Sequence, residues 1–156
     1  MSEAASNGCQ TIRVDLFSPG GSVVSGFEVI RLVEQAKTSG MAVEFHGGGM
    51  VASMATVLIA SGSPGHRYVY EHAFVVIHGI QVQAGPFGES ECFSPTTVPV
   101  NERDRTGLQL TDTMIALLAG YAGQPVEVAA SWLTCGNEQY GDGWLLVKLG
   151  LADLVE

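Results

Sequence analysis

Segments rich in β-forming residues alternate with helical patterns along the first half of the chain, and this alternation limits the possible folds most strongly. The first such segment, Thr11–Phe17, stops at the turn-forming sequence Ser-Pro-Gly-Gly. From Ser22 to Ser39 apolar residues recur every three or four positions, which predicts a helix that Ser22 caps and Gly40 ends. Strands that alternate with helices predict an α/β fold, in which a mainly parallel sheet has flanking helices.

The same patterns predict the remaining elements. These are a strand at 41–45, a helix from 50 or 52 to 61, strands at 66–70 and 73–78, and helices at 101–122, 125–133 and 142–149. The strand at 41–45 is expected to end at the glycines that follow it, and the next helix is apolar on all sides and therefore buried. Residues 79–99 are rich in Gly, Pro, Ser and Thr and too long for a simple connection, which indicates a functional arm or a mobile loop.

Composition limits the class of protein. With 156 residues, of which 46% are apolar and 15% charged, the chain is expected to form one domain over 1–156, with a flexible start at 1–10. The net charge of −9 and the lack of a Lys/Arg cluster argue against nucleic acid as a partner. No signal peptide is visible and no apolar run is long enough to cross a bilayer, so a cytoplasmic protein without membrane attachment is expected.

The cysteine and histidine residues show no metal-ligand spacing. Cys9, Cys92 and Cys135 are odd in number, which favours free thiols in a reducing compartment over a disulfide framework. The three histidines other than His78 lie in different predicted elements, and surface or structural roles are predicted for them. We therefore expect neither a metal ion nor a cofactor.

Three features that carry chemistry follow predicted strands. Ser-Pro-Gly-Gly follows the first strand, Ser53 follows the glycines after the second, and His78 ends the apolar strand at 73–78. Ligands of α/β sheets bind at the carboxyl ends of strands. Backbone N–H groups are free where a helix begins, so the surroundings of Ser53 favour an oxyanion, and His78 could take the serine proton. Taken singly, a serine at a helix start is more often an N-cap, and a histidine that ends an apolar strand is more often a hydrogen-bonded structural residue. The residues alone therefore indicate only a candidate Ser/His hydrolase.

Three segments together resemble the Clp-type serine peptidase family, the ClpP proteolytic subunit. They are FSPGGSVVSGFEVI, GGGMVASMATVLIASGSPGHRYVYEHAFVVIH and GLADLV. The family carries Ser-Pro-Gly-Gly after a strand, a Gly-x-x-Ala-Ser-Met motif and an apolar strand that ends in Ile-His, which here are Ser18–Gly21, Gly49–Met54 and Ile77–His78. The spacing of 25 residues from serine to histidine also matches, and the resemblance covers about 11–155, weakest within 81–100.

The resemblance implies a ClpP/crotonase-like fold and a serine endopeptidase that cuts polypeptides through an acyl-enzyme. It implies that Ser53 is the nucleophile and His78 the general base, and that the N–H groups of Gly21 and Met54 form the oxyanion hole. The residues implied to bind an extended substrate are Gly20, Gly79, Ile80, Gln81 and Val82.

The resemblance also implies an assembly. Residues 79–122 would form a substrate-binding arm and a handle helix that joins two rings, so a homo-oligomer of stacked heptameric rings is expected. Family members usually carry an N-terminal segment with axial loops that dock an unfolding AAA+ ATPase, whereas ten polar residues precede the first strand here. The use of such a partner is therefore left open. Short Clp-like chains of this kind resemble peptidases of phages and prophages.

The acid of the predicted triad is the point at which this sequence departs from the family. The family places an aspartate twelve residues before the glycine of its final Gly-Leu-x-Asp motif, and counting back from Gly150 gives Glu138. A glutamate can orient an imidazole, as in some α/β-hydrolases. Asp142 is the alternative acid, although its position suits a helix cap.

Two other functions stay open from the sequence. An acyl-CoA enzyme of the crotonase type shares this fold and uses a similar backbone oxyanion hole, but 156 residues is short for that group. A ring subunit that has lost its catalytic set is the second alternative, and the irregular position of the acid is its support.

Overall fold

The computed structural model describes residues 8–83 and 90–156, which form eight strands and five helices. The strands are β1 Thr11–Ser18, β2 Ala42–Ala52, β3 Arg67–Val69, β4 Phe74–Ile77, β5 Ile80–Gln83, β6 Ser90–Phe93, β7 Gln139–Gly141 and β8 Leu154–Val155. The helices are α1 Val23–Thr38, α2 Met54–Ala60, α3 Glu102–Ala122, α4 Val126–Trp132 and α5 Gly143–Leu149. The predicted flexible start at 1–10 falls mostly outside the described residues, and so does part of the predicted arm, 84–89.

The chain divides into two compact units. We call residues 8–76 with 140–156 the sheet unit and residues 77–139 the arm unit. The sheet has the strand order β7-β4-β2-β3-β8, and β1 also pairs with β2. The pairs of β2 with β1, β3 and β4, and of β3 with β8, are all parallel. The predicted α/β fold with a mainly parallel sheet and flanking helices is therefore confirmed, whereas one domain over 1–156 stays a prediction.

Strand β2 is longer than the sequence predicts. The predicted strand ended at Phe45, but β2 continues through the three glycines to Ala52. Leu16 of β1 pairs with Gly47, whereas the next pair joins Ser18 to Val51, so β2 contains two more residues than β1 between these pairs. This irregularity is a β-bulge, which lets the long strand bend without ending. The predicted helix start at 50 or 52 is wrong for the same reason, because the helix begins after the bulged strand.

Two aromatic rings lie against the glycines of the bulge. Gly49 has a φ of +60°, and a Cβ on it would lie 2.7 Å from a ring atom of Phe17. A Cβ on Gly48 would lie 2.8 Å from a ring atom of Tyr70. These glycines therefore allow close packing inside a strand. The prediction that the strand ends at Gly-Gly-Gly, which treats the glycines as a turn, does not include this role.

Helices α1 and α2 pack together in the sheet unit. Ser22 caps α1, since its hydroxyl accepts from the N–H of Ser25, as predicted. A Cβ on Gly26 would lie 2.4 Å from the Met54 side chain, so the missing side chain lets α2 approach α1. Six of the seven residues of α2 are buried, which confirms the prediction of a buried helix. Among the described residues, no helix combines the length and the hydropathy needed to cross a membrane.

The arm unit contains an antiparallel hairpin and two helices. Strand β5 pairs with β6 so that Ile80 lies opposite Phe93 and Gln81 opposite Cys92. Helix α3 begins after the cap Asn101, whose side chain accepts from the N–H of Asp104, and the long predicted helix is confirmed. A Cβ on Gly107 would lie 2.7 Å from the Phe93 ring, so α3 packs closely on β6.

A disulfide joins Cys92 to Cys135 in the arm unit, and Cys9 is free and exposed. The prediction of free thiols is therefore wrong for two of the three cysteines. The two are 43 residues apart in sequence and 6.0 Å apart at Cα, a proximity that only the folding of α3 and α4 creates. Closing a loop of this length removes unfolded-state entropy equivalent to about 4 kcal/mol at 25 °C.

The Gly-Leu-x-Asp motif holds the C-terminal segment against β3. The Asp153 carboxylate accepts from the N–H of Gly65 (2.8 Å), the N–H of Arg67 (3.0 Å) and the Arg67 guanidinium (2.5 Å). The guanidinium also donates to the Gly150 carbonyl, 3.1 Å away. Burial opposes the charge of Asp153, but the hydrogen bonds from Arg67 outweigh it and lower the pKa of the Asp153 carboxyl. This motif therefore has a structural role here.

A buried histidine ties β2 to the last residue of the chain. His46 Nδ1 lies 2.8 Å from Glu156 Oε2 and His46 Nε2 lies 2.7 Å from Glu44 Oε1, and the ring stacks on Tyr68 with centroids 4.7 Å apart. His66 lies 3.4 Å from the other oxygen of Glu44. Burial lowers the pKa of His46, but the hydrogen bonds to Glu44 and Glu156 outweigh it, so the pKa is raised. The predicted structural role is confirmed for His46.

We expect the stability of the sheet unit to fall at alkaline pH because His46 loses its charge. Since the folded pKa of His46 is raised, its contribution is full below the unfolded value of about 6.5 and is lost as the pH rises through the folded value. Between about pH 6 and pH 9 the melting temperature should fall about 2–4 °C further in the wild type than in His46→Gln. Calorimetry at several pH values measures the melting temperature of each protein, and His72→Gln is the control at an exposed histidine. If the melting temperatures of the wild type and His46→Gln changed equally with pH, the expectation would be contradicted.

Candidate active site

The turn from β2 into α2 holds Ser53 in a backbone conformation that L-residues rarely adopt. Its φ is 55° and its ψ −125°, and no other non-glycine residue in the described ranges has a positive φ. The Ser53 N–H donates to the carbonyl of Val76 (2.8 Å), and the Ser53 carbonyl accepts from the N–H (3.0 Å) and the hydroxyl (2.7 Å) of Thr56. These bonds maintain a conformation that costs about 1–3 kcal/mol.

The Ser53 side chain does not cap helix α2. Ser53 occupies the N-cap position, yet its hydroxyl makes no capping hydrogen bond. The interpretation of Ser53 as an ordinary N-cap, which the sequence left open, is therefore not supported. A serine on a sharp, strained turn from strand to helix is the arrangement of a nucleophile elbow, in which the hydroxyl is left available for chemistry.

The Ser-Pro-Gly-Gly turn lies directly against Ser53. A Cβ on Gly20 would lie 2.6 Å from Ser53 Cβ, 2.9 Å from the Ala52 carbonyl oxygen and 3.1 Å from Ser53 Oγ. The φ of Gly20 is +103°, and the Ser18 hydroxyl accepts from the Gly20 N–H at 3.1 Å. Only glycine allows the backbone to approach the serine this closely. The parallel pairing of β1 with β2 brings the two segments together.

The two predicted oxyanion donors, the N–H groups of Gly21 and Met54, follow Gly20 and Ser53 directly in the chain. Gly21 follows Gly20 with a φ of +147°, and Met54 follows Ser53 as the first residue of α2. The N–H of a first helical residue has no acceptor within its own helix. Four of the predicted site residues in the sheet unit therefore lie close to one another, and they are Ser53, Gly20, Gly21 and Met54.

A cleft of about 190 Å³ opens beside this group. Gly20, Gly21 and Met54 line one part of it, and the α1 and α2 side chains Val29 and Leu58 line another. Most of these groups are apolar, so the cleft suits an apolar side chain.

His78 follows β4 in the arm unit and is half-buried. Its Nδ1 lies 2.6 Å from the carbonyl oxygen of Gly79. Because a carbonyl only accepts, Nδ1 carries the proton, and Nε2 of the neutral ring is then a lone-pair acceptor. This tautomer is the one that a general base of the Ser-His type requires.

The two candidate acids bond to backbone amides. The Glu138 carboxylate accepts from the Gly136 N–H at 3.2 Å. The Asp142 carboxylate accepts from the Trp144 N–H at 3.0 Å and caps α5, as its sequence position predicts. The Nδ1 proton of His78 goes to a carbonyl and not to a carboxylate. The third member of the triad therefore stays a prediction.

The predicted substrate-binding residues lie at the start of the arm unit. Gly79 precedes β5, which contains Ile80, Gln81 and Val82. Ile80 is buried, Gln81 is exposed, and the Val82 carbonyl accepts from the Arg103 guanidinium at 3.1 Å. Among the described residues β5 has one strand partner, β6. A strand with one partner keeps an edge to which an extended peptide can add.

The predicted site residues are divided between the units. The sheet unit holds Ser53, Gly20, Gly21, Met54 and Asp142, and the arm unit holds His78, Glu138, Gly79, Ile80, Gln81 and Val82. The Ser53 N–H bonds to Val76, which precedes His78 by two residues in the sequence. No group of three or more His, Cys, Asp and Glu side chains within the described ranges has the arrangement of a metal site.

Sequence reasoning missed two contributors to the site. Thr56 holds the Ser53 carbonyl, and the Ser-x-x-Thr spacing is a signal from which this bond could have been predicted. The Cys92–Cys135 disulfide lies beside Gly79, since a Cβ on Gly79 would lie 2.9 Å from Cys92 Sγ. Nothing local in the sequence indicates that pairing.

Comparison with known proteins identifies the family. A family model described as Clp protease matches residues 3–131. The ATP-dependent Clp protease proteolytic subunit of Chlorokybus atmophyticus is 31% identical to this chain over 110 residues, which cover 70% of this chain and 44% of the relative. The chain thus spans less than half the length of this curated relative. By the extent of the family match, the chain belongs to the Clp protease family.

Proposed function

We propose that the chain is a serine endopeptidase of the Clp type, with Ser53 as the nucleophile and His78 as the general base. Family membership supports peptidase chemistry. The single observation that carries the assignment is the strained turn at Ser53, where the hydroxyl makes no capping bond and the backbone of Gly20 lies against it. Strain of this kind is characteristic of functional sites.

In this proposal Ser53 Oγ attacks the carbonyl carbon of a peptide bond while His78 Nε2 accepts the hydroxyl proton. The N–H groups of Gly21 and Met54 stabilise the negative oxygen of the tetrahedral intermediate, and His78 then gives its proton to the leaving amine. Water, deprotonated by His78, attacks the ester and releases the acyl group and Ser53. Glu138, or Asp142 as the alternative, would be the acid that stabilises the imidazolium.

The substrate in this proposal is an extended polypeptide. Residues Gly79–Val82 would pair with it as an added strand, because β5 has one strand partner in the described part of the chain. The apolar cleft between α1 and α2 would take one substrate side chain. We also propose that the chain works as a homo-oligomer of stacked rings, as membership of the family implies, and sedimentation of the full chain tests this.

A fluorophosphonate probe tests the proposal. The expected result is one covalent adduct on Ser53, located by peptide mass spectrometry, in a folded protein that also hydrolyses a fluorogenic peptide. Ser53→Ala should lose the adduct and the hydrolysis, whereas the exposed control Ser39→Ala should keep both. A folded wild-type protein without any adduct at Ser53 would count against the proposal.

An inactive ring subunit is the second candidate function. The observation that favours it is the bond from His78 Nδ1 to a backbone carbonyl in place of a carboxylate. Peptide hydrolysis that disappears in Ser53→Ala would exclude this candidate. For the acyl-CoA alternative, calorimetry with coenzyme A is the test, and the peptidase proposal expects no binding.

A further inference from the structure

The Cys92–Cys135 disulfide lies next to the residue that holds His78. A Cβ on Gly79 would lie 2.9 Å from Cys92 Sγ and 2.7 Å from the Leu133 carbonyl oxygen, so the Gly79 backbone fits between β6 and the end of α4. The Gly79 carbonyl accepts the Nδ1 proton of His78 at 2.6 Å. The disulfide, Gly79 and the His78 ring therefore form one chain of contacts inside the arm unit.

We propose that the Cys92–Cys135 disulfide is a redox-controlled positioning element for His78. This inference rests on the proposed function for its effect on catalysis. The bond joins the two walls that enclose Gly79, since Cys92 belongs to β6 and Cys135 follows Leu133 by two residues. With the disulfide intact, β6 and the end of α4 hold the Gly79 carbonyl toward Nδ1 of His78. Nε2 of His78 is then free to act as the base.

Gly79 depends on these walls because it has no side chain of its own. Its carbonyl direction is set by backbone torsions that glycine leaves unusually free. The hydrogen bonds of the turn around Cys135 join residues that are close in sequence. They include the Asn137 N–H to the Thr134 carbonyl (3.1 Å), the Asn137 side chain to the Ser131 carbonyl (3.3 Å), the Gly136 N–H to Glu138 (3.2 Å) and the Gln139 side chain to the Asn137 carbonyl (2.9 Å). When the disulfide opens, the turn that carries the candidate acid Glu138 loses its covalent link to β6.

Both cysteines are half-buried, so a small thiol can reach them. In the reduction a thiolate of a dithiol attacks one sulfur, and the S–S bond breaks to give a mixed disulfide and one free cysteine thiolate. The second thiol of the reductant then displaces the other cysteine and closes its own disulfide. In total, two electrons and two protons pass from the dithiol to Cys92 and Cys135, which become two thiols.

The reduced protein should lose activity through misplacement of the base. A displacement of about 1 Å at a catalytic group costs about 100-fold in rate, so we expect kcat to fall about 10- to 100-fold on reduction. The His78 ring should also no longer favour the tautomer with the proton on Nδ1, because the Gly79 carbonyl that accepts this proton is no longer held in place.

Reversible reduction of the full-length wild-type protein tests the inference without any substitution. The protein is treated with dithiothreitol and then with oxidised glutathione, and kcat for a fluorogenic peptide is measured in each state. The ¹⁵N spectrum of the histidine rings reports the tautomer of His78, assigned with His78→Asn. Cys92→Ser combined with Cys135→Ser should behave like the reduced state and ignore the reductant, whereas Cys9→Ser should respond like the wild type.

The expected result is a fall in kcat and a mixed His78 tautomer in the reduced protein, both reversed by oxidation, with circular dichroism unchanged. Hydrolysis and a His78 spectrum that are the same in both states would overturn the inference and leave the peptidase proposal standing. A fall in kcat that accompanies unfolding would also overturn it, because the disulfide would then be structural only. If the His78 tautomer changed on reduction but neither the oxidised nor the reduced protein hydrolysed the peptide, the result would support the positioning of His78 by the disulfide. It would contradict the peptidase proposal.

Discussion

Replacing Ser53 with glycine is expected to abolish peptide hydrolysis and at the same time raise the melting temperature. The rate should fall at least about 10⁴-fold, because the nucleophile of the acyl-enzyme is removed. Stability should rise because glycine adopts the observed φ of 55° and ψ of −125° without strain. Strain relief of about 1–3 kcal/mol exceeds the entropy cost of glycine, so a gain of about 2–4 °C is expected.

Ser53→Ala is the matched control for this expectation. It removes the same hydroxyl but keeps a Cβ in the strained conformation, so hydrolysis should be lost without a gain in melting temperature. Hydrolysis rates and calorimetric unfolding of the three proteins separate the two effects. A Ser53→Gly protein that is no more stable than Ser53→Ala would show that the turn is not strained. Hydrolysis at the wild-type rate in either variant would remove Ser53 from the mechanism.

Replacing Gly20 with alanine should damage both stability and catalysis. The new Cβ would lie 2.6 Å from Ser53 Cβ and 2.9 Å from the Ala52 carbonyl oxygen, and both neighbours are held by the sheet. Overpacking and the unfavourable φ of +103° together should lower the free energy of unfolding by about 2–4 kcal/mol. Any shift that relieves the overlap moves Ser53 or the turn that carries Gly21, so hydrolysis should fall at least about 100-fold.

Gly40→Ala is the control that separates the effect of steric overlap with a new Cβ from the effect of backbone strain at a positive φ. Gly40 also has a positive φ, +83°, but a Cβ there would meet no atom within 4 Å. This control should lose about 1–2 kcal/mol of stability from strain alone and keep its hydrolysis rate. Chemical denaturation and peptide hydrolysis measure the two quantities. If Gly20→Ala lost no more activity than Gly40→Ala, the close approach to Ser53 would have no catalytic role.

The close approach of Gly20 to Ser53 follows from the register of β1 and β2. The bulge at the glycines shifts the pairing so that Ser18 lies opposite Val51. The turn after β1 therefore reaches the end of β2, where the serine lies. If the register of Leu16 on Gly47 continued without the shift, Ser18 would lie opposite Gly49, and Gly20 would fall two residues short of Ser53.

The order and type of most elements could be predicted from the sequence because their signals are local. Helix α1 with its cap Ser22, helix α3 with Asn101 before it, and helix α5 between Asp142 and Gly150 follow from periodicity and capping residues within one or two turns. The end of β2 could not be predicted, because Gly-Gly-Gly has the same local sequence pattern whether it ends a strand or forms a bulge inside one. The pairing of that segment with β1 and β4 decides between the two, and both partner strands come from elsewhere in the chain.

By itself the sequence determined the α/β class, the candidate nucleophile and base, and the family resemblance, because these depend on periodicity and on short motifs. Only the tertiary structure decided that the Ser53 hydroxyl does not cap its helix, that Gly20 lies against it, and that Cys92 pairs with Cys135. The physical reason is that strain, close approach and disulfide pairing depend on distances between residues far apart in the chain. Those distances are set by the register of β1 on β2 and by the packing of the arm helices, which no local pattern encodes.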